Sequence, residues 1–320
     1  MKKLLFVFLS LFILISCDDG DIITEELDFE DTFQACGELV FYKIKEDPAE
    51  SLSLRITSVT KTLDSLIATD DDGVLYLTEE SYTIDGTSNF FNYRRYNTTP
   101  TDFFCNDVPP SNITITNDEE STTGTATVYI SLVEDDNDGI PAEMEDINDN
   151  GILTDDDTDG DGIPNYLDED DDGDNVLTKY EIDTTDADGD NNPLTNPLNT
   201  DEADEVALGI DIVPNYLDPD DDGDGVLTID EENDSQDQDP SNDFTSTNPD
   251  DDDLADYLNP DVANTVPATA YRDHDIQQTF EVTLIITSLE LPSITYDDLD
   301  FGTLEDDSLI DERTVEIPFL

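Results

Sequence analysis

The chain has 320 residues and carries 84 acids against 11 bases, a net charge of −73. A charge of that size excludes nucleic acid as a partner, and also an anionic surface unless a metal ion bridges the contact. A single His and no Trp make a zinc centre or a Ser-His-Asp triad hard to assemble, although carboxylate chemistry stays open.

Residues 1–16 begin with Lys2 and Lys3 and continue as an apolar run from Leu4 to Ile15. This is the pattern of an export signal and is too short for an ordinary membrane-spanning helix. Leu14-Ile15-Ser16-Cys17 resembles the lipobox of bacterial lipoproteins, which are cut before the Cys and lipidated on it. The Asp18-Asp19-Gly20-Asp21 run that follows is similar to the surface-export signal of Bacteroidota lipoproteins. The resemblance implies an acidic tether over 17–25 and an outer-membrane lipoprotein, exposed at the cell surface. Its membrane partner would be reached through a lipid on Cys17.

From 26 to 133 the pattern is that of strands. Leu52, Leu54 and Ile56 alternate with Ser53, Arg55 and Thr57, and Ala126, Val128, Ile130 and Leu132 alternate with Thr127, Tyr129 and Ser131. Val40, Tyr42 and Ile44 lie opposite Leu39 and Phe41. A period of two describes strands with one buried face. Turn signals at Asp47-Pro48, Asp72-Gly73, Asp85-Gly86 and Pro109-Pro110 separate them. Several short strands at this spacing suggest an antiparallel sandwich. Cys36 and Cys105 are the cysteines left beside Cys17. An exported chain meets an oxidising compartment, which favours a disulfide between them, with two free thiols as the other reading. The run Phe90 to Tyr96, with Phe103 and Phe104, reads first as core and strand edge. Its other reading is a platform for a surface glycan or a protein ligand, with Arg94 and Arg95 as polar partners.

The stretch 134–261 is organised by a short acidic repeat. Asp220, Asp222 and Asp224 stand at alternate positions before Gly225, and Thr228 and Glu231 follow at the ninth and twelfth positions. A tight turn can aim those carboxylates at one point, and the closing Glu can add two oxygens. A hard cation such as Ca2+ takes six to eight oxygen ligands, which accounts for the choice of Asp, Asn, Thr and Glu. The pattern recurs as Asp170, Asp172, Asp174, Thr178 and Glu181, with Asn175 at the turn position. It recurs as Asp157, Asp159, Asp161, Asn165 and Asp168, and as Asp146, Asn148, Asn150, Thr154 and Asp157. Glu134, Asp136, Asp138 and Glu145 form a weaker first copy, and Asp186, Asp188 and Asp190 begin another that Pro197 leaves open. A longer repeat overlies these, since Pro-Asn-Tyr-Leu-Asp ending at Asp168 returns at Asp218 and, worn, at Asn259.

An EF-hand needs a helix on each side of its loop, and these loops follow one another without room for helices. The stretch therefore resembles the thrombospondin type 3 repeat, whose loops have the form D-x-D-x-D-G-x-x-[DN]-x-x-[DE]. The resemblance implies several bound calcium ions and an irregular, calcium-wrapped spacer in an extracellular protein. Composition alone also fits an acidic disordered segment. Spacing argues against that reading.

Over 262–320 the alternation resumes with Phe280, Val282, Leu284 and Ile286, and ends with Val315, Ile317 and Phe319. So few strands do not make a stable domain, so they are expected to complete the β-domain begun before Glu134. The predicted fold is mainly β with little helix: an antiparallel sandwich-like domain with an inserted irregular calcium module. His274 is expected in a solvated linker. The function expected is a non-enzymatic scaffold or adhesion element of the cell envelope. The alternatives are a surface enzyme or chaperone, of glycan hydrolase or peptidyl-prolyl isomerase type, and a glycan- or peptide-capture protein.

Overall fold

The computed structural model describes residues 27–319 apart from 38, 59, 187–188, 234–235 and 246–253, so the export segment, Cys17, Asp188 and the start of the third long repeat lie outside the described residues. The described chain is mainly β, with a mixed sheet of ten strands and two short helices. One half of the sheet holds β1 (Thr32–Cys36), β2 (Val40–Lys45), β3 (Glu50–Ile56), β5 (Asn89–Tyr96) and β6 (Ile115–Ser121). The other holds β4 (Glu79–Thr83), β7 (Thr125–Asp135), β8 (His274–Glu290), β9 (Thr295–Leu304) and β10 (Ile310–Val315). The helices are α1 (Leu63–Leu66) and α2 (Glu202–Leu208).

The order β4-β7-β8-β9-β1-β2-β3-β5-β6 puts β9 and β5 four strands apart, about 19 Å in a flat sheet. Yet the rings of Phe91 in β5 and Phe301 in β9 lie 6.2 Å apart. The sheet is therefore folded over on itself, and one apolar core fills the space between its halves. Phe33, Phe41, Leu54 and Phe91 enter that core from one side, Val128, Val282, Leu284 and Phe301 from the other. On β2 the inward residues are Phe41 and Lys43, with Val40, Tyr42 and Ile44 only half-buried.

The sandwich is not wholly antiparallel. β1 runs parallel to β9, pairing Thr32 with Thr303 and Phe33 with Leu304. Gly302 makes this join possible. Its φ is +91°, and a Cβ there would stand 1.7 Å from the carbonyl oxygen of Asp31. Only glycine lets the two backbones approach so closely.

β8 carries β7 on one side from Gln277 to Thr287, and on the other β10 and then β9. Asp135, the last residue of β7, pairs with Gln277 near the start of β8. The 136–273 segment thus leaves and re-enters the sheet between two adjacent strands. Its local structure is a series of one-turn 3-10 helices, among them Asn165–Leu167, Asn215–Leu217 and Asp256–Leu258 at the three copies of the long repeat. The last strand ends earlier than the alternation suggests. β10 stops at Val315, and Ile317 and Phe319 follow it as coil. Pro318 has no N–H to donate to a ladder, and Phe319 packs instead on Tyr271, 5.0 Å away.

Candidate metal-binding loops

Each loop is shaped first by hydrogen bonds from its own backbone. Asp170 accepts the N–H groups of Asp174 and Asn175, at 3.1 and 2.8 Å. Asp220 accepts that of Gly225 at 3.1 Å, and Asp146 those of Asn150 and Gly151. The fifth position accepts the N–H two residues on, as Asp138, Asp161, Asp174 and Asp224 do from Ile140, Ile163, Val176 and Val226. The sharp reversal needs left-handed backbone, which Gly225 (φ +94°) and Asn175 (φ +72°) supply. Local bonding occupies one oxygen of a fifth-position carboxylate and leaves the other free.

Those free oxygens converge. Among the described residues, Asp136, Asp138 and Glu145 bring ligand oxygens within 4.8 Å of one another, and so do Asp170, Asp172 and Asp174. Asp174, Glu181 and Asp221 do the same, as do Asp157, Asp159 and Asp161 and, on and beside α2, Asp201, Glu205 and Asp218. The first three clusters are fully buried, and the Asp157 cluster is largely exposed. Both oxygens of Glu145, Asp172 and Glu181, and one each of Asp136, Asp138, Asp174, Asp222, Asp224 and Glu231, have no hydrogen-bond partner. Glu181 is 0 % exposed.

The electrostatics are those of negative charge gathered with a single base among the described residues, His274, beside the Asp170 cluster. Burial, then the charges of Asp138 and Asp135, push Glu145 up to about 9. Burial with Asp222 and Asp224 does the same to Glu231. Asp172, Asp174 and Glu181 are raised well above the usual carboxylate range for the same two reasons. The nearby bases Lys179, Arg272 and Arg313 pair with Glu169, Asp239 and Glu134, acids outside these five clusters. A buried carboxylate without a partner costs several kcal/mol, so such groups are found neutralised, paired or on a metal. These oxygen-only clusters can hold metal ions, and their donors are those a hard cation takes.

Several residues expected to be ligands have other work. Glu134 lies on β7, where Arg313 donates to it at 2.7 Å and Gln278 at 2.8 Å, so the first cluster starts at Asp136. The ninth positions fasten their loops. Thr178 and Thr228 accept the N–H groups of Asp171 and Asp221, at 3.1 and 3.3 Å. Asn165 accepts from the N–H of Thr158 and donates to its hydroxyl, both at 2.9 Å. The Asp146 loop is the most open, with Asn148, Asn150 and Thr154 exposed. Asn148 donates to Asp156 and Asn150 to Asp155, and Asp157 joins the next cluster.

His274 is not in a solvated linker. It opens β8, is 2 % exposed, and its Nδ1 lies against Asp168. Burial opposes its charge, but contact with Asp168 and the nearby Asp170 and Asp161 raise its pKa above the ordinary value. Asp168 thus faces a histidine as well as the loop it closes. Asp275 N–H to Glu169 and Arg272 N–H to Asn175 join the same strand end to the loops, at 3.1 and 3.0 Å.

The sheet has its own polar feature. Cys36 and Cys105 form a disulfide with Cα atoms 5.4 Å apart. It holds a loop whose Phe104 stacks on Tyr42 and whose Phe103 meets Tyr96 edge-on. Tyr42, Phe103 and Phe104, with Phe29 and Lys45, border a cleft of about 960 Å³. Phe91, Tyr93 and Tyr96 are buried, and Arg94 and Arg95 pair with Asp118 and Glu50.

A family model described as BamM C-terminal matches residues 135–207. The match starts where β7 ends and takes in three of the clusters above, those of Asp136, Asp157 and Asp170. It covers less than a quarter of the chain. No curated protein and no solved structure matches the chain. Among the described residues no helix is long and apolar enough to cross a membrane.

Sequence reasoning overlooked Asp171, Asp221, Asp201 and Glu205. The first two were visible as an unbroken Asp-Asp-Asp at 170–172 and 220–222. Glu205 had no such signal, because it belongs to a helix and to no loop pattern.

Proposed function

We propose that this is a cell-envelope protein whose acidic loops bind several calcium ions, making the 136–261 segment a stiff scaffold attached to a β-domain. The β-domain comprises the strands up to Asp135 and those from His274 onward. The observation that carries the reading is the set of buried carboxylate oxygens without partners, gathered in clusters by loops of one repeating design. Calcium fits better than magnesium. Its shell accepts six to eight oxygens in flexible geometry, including a bidentate Glu, where magnesium demands a smaller octahedron and keeps its water. The resemblance to thrombospondin type 3 repeats supports the same ion.

Attachment to the outer membrane through a lipid on Cys17 follows from the lipobox-like end of the export signal, and the BamM C-terminal match points to the outer membrane as well. Extracellular calcium modules bind at roughly 10⁻⁴ to 10⁻³ M, which suits a structural ion. No group in the clusters needs to react; the residues act as ligands. The test is a calcium titration of residues 18–320 by calorimetry, with circular dichroism and melting curves. Saturable uptake of several ions with a raised melting temperature is expected. An absence of binding at millimolar calcium overturns the reading.

A further inference from the structure

In loops of this design the acids at the first, third and fifth positions turn inward, and the second position points away. Two loops carry a further acid at that second position, Asp171 and Asp221. Neither lies in solvent. They are 2 % and 1 % exposed, and no well-aligned donor meets their oxygens; the Asn215 amide is a neutral group close to Asp221. Thr178 and Thr228 hold their backbone N–H groups, so the position of each is set by its own loop while the carboxylate is directed elsewhere.

In both cases the surrounding acids belong to an earlier loop. The carboxylate of Asp221 lies within 4.8 Å of Asp174 and Glu181, the fifth and twelfth positions of the Asp170 loop. The charges acting most strongly on Asp171 are those of Glu145 and Asp138, the twelfth and fifth positions of the first loop. A tyrosine of the long repeat stands beside each group: Tyr216 near Asp171, Glu145 and Asp138, and Tyr257 near Glu181, Asp221 and Asp174. The arrangement thus occurs twice, built from corresponding loop positions. The converging oxygens of Asp174, Glu181 and Asp221 carry the inference, and Asp171 occupies the matching position of its own loop, equally buried.

We propose that Asp171 and Asp221 are cross-loop calcium ligands, each completing the shell of an ion held by an earlier loop. One ion would then fasten two loops that are not neighbours in sequence. The Asp136, Asp170 and Asp220 loops become one linked stack, and the ions fill it cooperatively. This rests on the calcium reading above and adds to it which loops share an ion.

The test uses the full chain without its export segment, as wild type and as Asp171→Asn, Asp221→Asn and the double variant. Asp159→Asn, in the exposed cluster, is the control. Calcium is titrated by calorimetry, and melting is followed in millimolar calcium and in chelator. Each bridging variant is expected to weaken at least one ion tenfold or more and to reduce cooperativity, whereas the control affects one ion and leaves cooperativity intact. In calcium the bridging variants melt lower. In chelator they melt at the wild-type temperature or above it, because an unpaired buried charge has been removed. Wild-type affinity and cooperativity in the bridging variants overturn the proposal and leave the calcium reading standing. Lower melting in both buffers with unchanged affinity also overturns it, by showing a purely structural role. A wild type that binds no calcium removes both.

Discussion

The sheet and the loop segment have interiors of opposite chemistry. Between the halves of the sheet, Phe33, Phe41, Phe91 and Phe301 pack ring against ring among Leu, Ile and Val. In the loop segment the corresponding apolar cluster is small, with Val176, Ala255 and Tyr257. The deepest side chains there are polar, and they include the carboxylates of Asp174 and Glu181, both 0 % exposed. An apolar interior is stabilised by water itself in any buffer. A carboxylate interior is stable only when something positive occupies it. The same chain therefore combines a part whose stability is built in with a part whose stability depends on the solution.

The sharpest break between the two would come from excision. Residues 136–273 replaced by a short turn should leave a folded β-domain, because Asp135 and Gln277 are already ladder partners. Circular dichroism and a cooperative melt insensitive to calcium are the expected result. A product unfolded in every buffer would show that the loops are needed to fold the sheet.

A smaller effect is expected from Phe301→Ala, which empties a fully buried site in the sheet. The loss should be about 3–5 kcal/mol, equal in calcium and in chelator. If the loss in denaturant titrations varied with calcium, the two parts would be energetically coupled.

Proton dependence sharpens the contrast further. Glu145 and Glu231 are pushed up to about 9, and Asp159 and Asp222 to about 7, all with burial as the largest cause. A carboxyl with a raised folded pKa binds its proton more tightly in the folded state, so unfolding becomes easier as pH rises. In chelator the contribution of these groups is fully present below about pH 4, the ordinary carboxylate value, and is lost between there and the folded values of about 7 to 9. The loop segment should therefore melt higher at pH 5 than at pH 8 without calcium. With calcium the order should reverse, since protons then compete with the ion. Melting curves at the two pH values, with and without chelator, give the sign directly.

The smallest effect should come from Thr178→Val or Thr228→Val. Each removes the acceptor for a buried N–H and should cost on the order of 1–3 kcal/mol without changing the number of ions bound. A lost ion in calorimetry would mean that these hydroxyls are ligands after all.

What is local was legible in the residues alone. Alternation of apolar and polar residues spans a few positions, so β3, β7 and β8 were readable, and so were the acids at alternate positions in each loop. The left-handed turns at Gly225 and Asn175 belong to the same short range. Tertiary structure decided whatever depends on residues far apart in the chain. Four pairings of elements were out of reach: the parallel join of β1 to β9 through Gly302, the seating of His274 against Asp168, the turning of Glu134 toward Arg313, and the direction of Asp171 and Asp221. In each case the repeat pattern names a residue type, and the partner comes from a segment that only the fold brings near. The ninth-position Thr and Asn show the limit most clearly. Their spacing suits a ligand, but the fold also gives each a backbone N–H to accept, and a buried donor without an acceptor is too costly to leave.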